Sequence, residues 1–570
     1  MSDRICPNVT SASFPLLNQY ELTNSDMCAI CHDDLHEGRK LCCGHAFHSN
    51  CLDALLTRYS DCPVCRRKIE VPFDFDCLPR FRAILERSAA SHKAYQYRGV
   101  QWLVSQEQRN RGGLLADEMG LGKTISLIGL MVENFVARTL IIVPVALLSQ
   151  WRDTIFHFTG HRALIYHSSH KKPTLAQLTA APVVLSTYGI ISVSSKRNVR
   201  SVLHDITWDR VLFDEAHHLR NKNTSKYCGA ALLQSPIKWM VTGTPMQNRR
   251  ADIMSLASLL GIDDVELVTE NMLRRTKRDV GSELLPVSDE TIYVPWSNEE
   301  EKRLAEDIHA QCQRAFFVSS RSGGVFGEHF GKHPLVALTR AKQICTAPSI
   351  LNRPIRKVFE EGHVQVSDPR AQIAYGVQGT SKLSAVLDHM LGRMQNSRNK
   401  IVFCTYHQEI DFLKQGLVES GVSVFVKDGR HTGALPPSPD SESNSCQVLI
   451  LQMQSCCEGL NLQAYSEVYF VTPHWNPFLE DQAVARCHRI GQTQRVQVFR
   501  FLMRGDNFRG MDYDEDNMDF EEGMPPTPDS FDTAAMELQQ SKRMLADFIL
   551  TTNQWHTPGE DDYDSESFSF

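Results

Sequence analysis

A single ten-residue stretch, Leu115-Ala-Asp-Glu-Met-Gly-Leu-Gly-Lys-Thr124, narrows the possibilities for this 570-residue chain further than any other. Gly120 and Gly122 supply a tight turn that cradles an anion, Lys123 an ammonium that reaches phosphate, and Thr124 a hydroxyl suited to magnesium. A strict phosphate-binding loop carries Gly where this chain has Asp117. The candidate nucleotide contacts are Asp117, Glu118, Met119, Gly120, Leu121, Gly122, Lys123 and Thr124. About 90 residues further on, the apolar run Val211-Leu-Phe213 ends in Asp214-Glu215-Ala216-His217. An acidic pair at a strand end is usually a solvated turn. Behind a phosphate loop it suits a metal ligand, Asp214, beside a group that orients attacking water, Glu215.

From about residue 93 to 285, β-rich runs (Leu140–Val143, Val183–Leu185, Val211–Phe213, Trp239–Val241) alternate with helical stretches. A second series, residues 286–505, contains Lys400–Cys404, Val422–Val426, Val448–Leu451 and Val468–Val471. The alternation predicts an α/β chain with two lobes, each a parallel sheet flanked by helices. Ahead of them lie a polar tail (1–26), a Cys/His block (27–70) and a linker (71–92) that becomes a short helix over Leu78–Ser88. Behind them, residues 506–533 are acidic, contain Met-Pro-Pro-Thr-Pro and read as a disordered insert. A helix over 534–552, with Leu538, Met544, Leu545, Phe548 and Ile549 on one side, precedes an acidic tail at 553–570.

Residues 506–570 hold 17 Asp and Glu against 3 Lys and Arg, a balance of −14 within a chain total of −7, which leaves +7 for residues 1–505. A mildly basic body with an acidic tail is compatible with a polyanion partner. The strongest apolar run, Thr139–Leu148, has about half the length of a membrane-spanning helix, and the N-terminus lacks a secretory pattern. Membrane, secreted disulfide-rich and fibrous classes are thereby excluded.

Of the 17 cysteines, seven lie between Cys28 and Cys65, interleaved with His45 and His48. Cys28-x2-Cys31, Cys43-x-His45-x2-His48-x2-Cys51 and Cys62-x2-Cys65 offer eight ligands for two tetrahedral zinc ions. Pairs separated by two residues let one turn present both side chains to one ion, and so short a segment has little core without the metal. Cys42 competes with Cys43 for the third place.

This block resembles a RING finger with histidines in the fourth and fifth ligand places. The resemblance implies cross-brace binding, with Cys28, Cys31, His48 and Cys51 on one zinc and Cys43, His45, Cys62 and Cys65 on the other. It also implies a ubiquitin ligase that docks a ubiquitin-conjugating enzyme on Ile30 and Pro63, with Arg66 steadying the conjugated ubiquitin. Leu55 stands where that family often has Trp. A finger that only recruits partners is the alternative.

The nucleotide residues resemble those of the SWI/SNF-type branch of the superfamily-two helicase-like ATPases. Tyr95-Gln96-x2-Gly99-Val-x-Trp102-Leu103 matches the stretch ahead of the phosphate loop, where Gln96 would read the adenine edge. Leu147-Leu-Ser-Gln-Trp151 and Ser186-Thr187-Tyr188 match nucleic-acid-facing segments. Thr242-Gly-Thr-Pro-Met-Gln-Asn248 matches a coupling motif, and Met272-Leu-Arg-Arg-Thr-Lys277 the start of the crossing into lobe two. In the second lobe, Ser381-Lys-Leu383, Glu458-Gly-Leu-Asn-Leu462 and Gln482-x3-Arg486-x-His488-Arg489-Ile-Gly-Gln492 match. The resemblance covers residues 93–505 and the helix near Leu538–Ile549, which looks like the brace that closes this fold.

It implies two RecA-like lobes that bind ATP and magnesium, the metal on Thr124 and Asp214, with Gln482 also at the nucleotide. Lys123, Asp214, Glu215, Arg486 and Arg489 would be the catalytic groups, and Ser149, Gln150, Thr187, Tyr188 and Asn461 a track for DNA phosphates. Arg486 and Arg489, three apart, would project from one helical face, where their planar forks suit developing phosphoryl charge. The implied protein is a nuclear translocase on double-stranded DNA or chromatin. It would deliver ubiquitin transfer to a protein substrate in repair or transcription control, with a strand-separating helicase as the rival reading. Three features depart from the family: only 23 residues between Asn248 and Met272, Cys456-Cys457 in place of a common Gly pair, and a Pro/Ser/Asp-rich loop between Gly429 and Ser445.

Overall fold

The computed structural model describes residues 27–31, 33–35, 39–40, 45–48, 50–52, 55, 62–64, 75–193, 200–246, 250–280, 285–317, 334–351, 376–377, 379–430, 446–453, 460, 462–489, 491–504 and 530–552. The chain divides into two units, Met1–Glu283 and Leu284–Phe570. Within unit 1, the Cys/His block contributes a small antiparallel pair, β1 (Arg39–Lys40) and β2 (Ala46–Phe47). The unit's main sheet comprises β3 (Gly112–Leu115), β4 (Thr139–Val143), β5 (Leu164–Ile165), β6 (Val183–Thr187), β7 (Arg210–Asp214), β8 (Ile237–Val241) and β9 (Met272–Leu273). Its order is β5-β6-β4-β7-β8-β3-β9, with every pairing parallel.

Unit 2 repeats the plan with β10 (Ser288–Val294), β11 (Lys400–Cys404), β12 (Ser423–Lys427), β13 (Gln447–Gln452), β14 (Glu467–Phe470) and β15 (Gln497–Met503). The order is β10-β15-β14-β11-β13-β12, again all parallel. Parallel strands need crossover connections, which place helices on both faces and bury the sheet. Every residue of β4 and β7 is accordingly buried, and Thr139-Leu-Ile-Ile-Val143 reads as an unbroken apolar run.

Two local solutions hold unit 1 together away from the site. Gly112 opens β3 at φ +131°, and a Cβ there would lie 1.9 Å from the Lys238 carbonyl oxygen, so only glycine lets β3 approach β8. At the start of β7, the fully buried Arg210 donates to both carboxylate oxygens of Glu107, each at 2.6 Å, and to the Asn134 carbonyl. The Trp239 indole donates to the same Glu107 at 2.8 Å. A buried charge pair is tolerable only when its remaining sites are filled in this way.

Two expectations change. The short helix expected over Leu78–Ser88 is present as Pro79–Arg87, but it is no linker: its Phe81, Ile84 and Leu85, with the capping Leu78, belong to the core of unit 1. Phe81 N donates to Glu133 (2.7 Å) and Arg87 to the Phe158 carbonyl (2.8 Å), so this segment is part of the lobe. The C-terminal helix runs Phe531–Thr552, and among the described residues its buried positions are not those of the expected apolar stripe. Met544 is 66% exposed, whereas Asp532, Ala535, Gln539 and Ala546 are buried. Spaced by three, four and seven residues, they form a half-polar face held by unit 2: Asp532 Oδ2 accepts from Lys382 and from Met503 N, and Gln539 donates to Glu480. The side chains of Leu545, Phe548 and Ile549, the acidic residues 506–529, the 553–570 tail, the 431–445 loop and Cys456-Cys457 lie outside the described residues.

Candidate functional site

After β3 the chain turns through Ala116–Gly122 into the helix Lys123–Glu133. Gly122 caps that helix at φ +84°, and a Cβ there would lie 2.6 Å from Gln96 Nε2. The close fit both requires glycine and brings Gln96, itself buried, to the loop. The first N–H groups of the helix, unpaired within it, and its dipole favour an anion at this end. Lys123 Nζ donates to the main-chain carbonyls of Asp117 (2.8 Å) and Glu118 (3.4 Å). Gly243, just past β8, lies against the same ammonium, because a Cβ there would be 3.2 Å from Lys123 Nζ.

Asp117 departs from the expected role. Its carboxylate is held by two N–H groups of Arg275, and both side chains are 2% exposed. Aspartate replaces glycine here because Arg275 supplies the countercharge, and what Asp117 offers the loop is its carbonyl. Glu118 is likewise engaged, accepting from Lys277 N (2.7 Å) and lying 3.3 Å from Lys277 Nζ.

At the end of β7, the Trp151 indole donates to Asp214 Oδ2 (2.7 Å), Glu215 N to Asp214 Oδ1 (3.0 Å) and the Tyr188 hydroxyl to the Asp214 carbonyl (2.7 Å). Burial pushes the Asp214 carboxyl up to about 6 and the Glu215 charge adds to this, while the Trp151 N–H and the Lys123 ammonium oppose it. Glu215 sits at φ +52°, in the left-handed region that a residue with a long side chain seldom occupies. His217 Nδ1 lies 3.4 Å from both Glu215 Oε2 and Thr242 Oγ1, linking β7 to the Thr242–Asn248 stretch. The ends of β3, β7 and β8 thus bring together the Lys123 ammonium, the acidic pair and Gly243. Trp151 and Arg275 lie in motifs that the sequence marked for other reasons, and their contacts with Asp214 and Asp117 were not among the expectations.

In the Cys/His block, the donor atoms of Cys28, Cys31, His48 and Cys51 all lie within 4.8 Å of one another, the spread of a tetrahedral zinc set. His48 Nδ1 faces Cys31 Sγ (3.3 Å), while its Nε2 meets the Asp34 carbonyl (3.1 Å) and so fixes the ring orientation. Burial works against a Cys28 thiolate, but backbone N–H groups of Cys31, His48 and Ile30 outweigh it and hold the thiol at about 6. Of the second set, His45 Nδ1 and Cys62 Sγ approach to 3.6 Å, and Cys43 and Cys65 lie outside the described residues. Ile30 is half-buried and Pro63 exposed; Arg66 also lies outside the described residues.

Family models match an SNF2-related domain over residues 95–268, a Ring finger domain over 26–66 and a Helicase conserved C-terminal domain over 381–491. The chain joins a RING finger to an SNF2-type helicase core. Mouse chromodomain-helicase-DNA-binding protein 6 is 26% identical over 514 residues, covering 81% of this chain and 18% of that protein. A probable global transactivator of Orgyia pseudotsugata multicapsid polyhedrosis virus is 26% identical over 447 residues, covering 72% and 86%. The Sulfolobus solfataricus SWI2/SNF2 ATPase core, solved with double-stranded DNA, is 21% identical over 73% of this chain and 88% of its own, with a TM-score of 0.33.

In the helicase C-terminal domain of this SNF2-type core, the helix Pro477–Cys487 is capped by Asn476, whose side chain accepts from Phe478 N. Gln482 is 1% exposed, and among the described residues neither its amide oxygen nor its nitrogen has a partner. Arg486 is buried in the last turn. The helix ends at Cys487 and His488 leaves helical dihedrals (φ −89°, ψ 76°), so Arg489 does not share a helical face with Arg486 as its spacing suggested.

Among the expected DNA contacts of the SNF2-related domain, Ser149 is exposed, and Gln150 has a shielded Oε1 without a partner. Thr187 is buried and its hydroxyl likewise unpartnered. Tyr188 is turned inward and spends its hydroxyl on Asp214, which leaves that side chain poorly placed for a phosphate. Asn461 lies outside the described residues.

Proposed function

We propose that this SNF2-type protein is an ATP-driven translocase on double-stranded DNA, with a RING finger that recruits a ubiquitin-conjugating enzyme. The observation that carries the motor reading is the convergence of Lys123, Asp214 and Glu215 at one end of the unit 1 sheet, with Asp214 steadied by the Trp151 indole at 2.7 Å. Thr124 and Asp214 are suited to hold magnesium, which would neutralise phosphate charge and orient the terminal phosphoryl group. Lys123 exchanges its carbonyl partners for phosphate oxygens, and Gln96, beside Gly122, reads the adenine edge. Glu215 aligns water for attack. A buried amide without partners is expensive, which supports Gln482 as a group that waits for a polar ligand. Arg486 and Arg489 supply guanidinium charge to the phosphoryl group as bonds break.

The name of the chromodomain relative includes DNA binding, and the basic balance of residues 1–505 supports a polyanion partner. Contacts should go mainly to phosphates, because a motor that moves along DNA gains little from base readout. Two zinc ions order the finger, and Ile30 and Pro63, with Arg66 beside them in sequence, receive the conjugating enzyme. We place the protein in the nucleus, acting in DNA repair or transcription control. A strand-displacement assay separates translocase from helicase: ATP-dependent triplex disruption without release of a duplex strand is expected, and release of naked strands would overturn the translocase reading. Autoubiquitination with a panel of conjugating enzymes tests the finger, with activity lost on Arg66→Ala; silence with every enzyme would make it a recruiting scaffold.

A further inference from the structure

The residues Met272–Lys277 run directly beside the phosphate loop. β9 adds to the edge of the sheet next to β3, and beyond it Ala116 N donates to the Leu273 carbonyl (2.7 Å) and Glu118 N to the Arg275 carbonyl (2.8 Å). Side chains repeat the stitching. Arg275 grips the Asp117 carboxylate and donates to the Tyr95 carbonyl at 2.6 Å, one residue before Gln96. At Gly99 a Cβ would lie 2.7 Å from the same guanidinium, so the helix Ala94–Asn110 is close against it. Lys277 holds Glu118 through both its main-chain N–H and its ammonium.

Past that point Thr276 N donates to Asp279 (2.7 Å) and Asp279 N to Thr276 Oγ1 (3.2 Å), a reciprocal cap on the turn through Val280. The chain then continues into unit 2, which begins at Leu284. One short strap therefore touches the adenine-side helix, the phosphate loop and the covalent way out of unit 1.

Lys123 Nζ rests on the main-chain carbonyls of Asp117 and Glu118, the two residues whose side chains hold the strap. A phosphate that draws the ammonium away removes a donor from both carbonyls at once. The loop cannot rearrange around a nucleotide without loading the contacts to Arg275 and Lys277. We infer that Met272–Lys277 is a nucleotide sensor: it carries the state of the phosphate loop to the connection toward unit 2, with Arg275 as its positioning residue. The inference rests on the nucleotide binding proposed above. Linkage makes it reciprocal, so a substitution in the strap changes nucleotide affinity by the factor by which nucleotide changes the strap.

The test uses the full chain with ADP as probe, so that no hydrolysis is required. Calorimetry reads ADP affinity, and hydrogen exchange reads residues 272–280 with and without saturating ADP. ADP is expected to slow exchange across that segment by on the order of fivefold or more. Lys277→Met breaks a partly exposed pair without threatening the fold. Asp117→Gly with Arg275→Met removes both buried charges together and avoids leaving either unpaired. Both variants should weaken ADP binding and flatten the exchange response. ADP bound to the wild type with an unchanged strap, or a full response in the double variant, would overturn the sensor. Absence of ADP binding in the calorimeter would overturn the nucleotide reading and this inference with it.

Discussion

The zinc finger and the core of unit 1 reach order by opposite means. Among the described residues the finger's apolar cluster is Cys28, Leu35, Phe47, Leu52 and Cys62, of which two are candidate ligands, and so short a segment has little apolar area to offset chain entropy. Unit 1 buries a continuous apolar core that includes Phe81, Leu127, Ile141, Trp151, Leu212 and Trp239, and it spends its polar residues on fixing a site. On the proposed function, one module would be ordered by what it binds, while the other would be ordered first and then bind. That difference sets how each should fail.

Chelation draws the contrast most sharply. Structural zinc in such fingers is worth roughly 10–16 kcal/mol, so metal removal should unfold residues 27–64 while ATP hydrolysis continues, read by circular dichroism and a phosphate-release assay on the same sample. Loss of hydrolysis along with zinc would end the contrast. Truncation locates the border. A chain beginning at residue 75 should keep the stability of unit 1. One beginning at residue 93 loses Leu78, Phe81, Ile84 and Leu85 and should be several kcal/mol less stable in urea, at about 2–5 kcal/mol per large core side chain.

That border shows what the sequence made legible. The parallel lobes followed from apolar runs such as Thr139–Val143, and the ligand spacing and phosphate loop needed no tertiary information. The edge strand β10, Ser288–Val294, escaped notice because it is paired on one side only, to β15, and reads Ser-Asp-Glu-Thr-Ile-Tyr-Val, more polar than apolar. The polar seat of the helix Phe531–Thr552 was hidden for a related reason: Asp532 and Gln539 look like surface residues until Lys382 and Glu480 are seen opposite them. Within the site, Lys123, Asp214 and Glu215 stood out by motif. Trp151 and Arg275 also fell in matched motifs, but their bonds to Asp214 and Asp117 were not legible, because each carboxylate is distant in sequence, by 63 and 158 residues.

Acid should probe unit 2 in turn. His309, tilted at 45° against Phe531 with ring centroids 4.9 Å apart, and His474, whose carbonyl accepts from Gln539, are both held down at about 4 by burial. Their folded values lie below the free value of about 6.5, so in that window the unfolded chain binds more protons and stability is lost as pH falls from 6.5 toward 4. By pH 5 the loss is about 2 kcal/mol per histidine, and His309→Gln should flatten the dependence of the urea midpoint on pH. A smaller effect is expected at the site of unit 1. Trp151→Phe keeps one aromatic ring, removes the N–H from Asp214 and underfills a buried site; it should lower kcat of the folded enzyme by roughly tenfold, the value of about one hydrogen bond to a charge, and lower the melting temperature as well.

The central claim is that residues ordered before any ligand arrives form a DNA-dependent ATPase. Steady-state ATP hydrolysis by the full chain, alone and with double-stranded DNA, single-stranded DNA or RNA, tests it most directly, with Glu215→Gln as the blank. Strong stimulation by duplex DNA, abolished in Glu215→Gln, is the predicted result. A rate equal to that of Glu215→Gln, or one indifferent to all three nucleic acids, would contradict it.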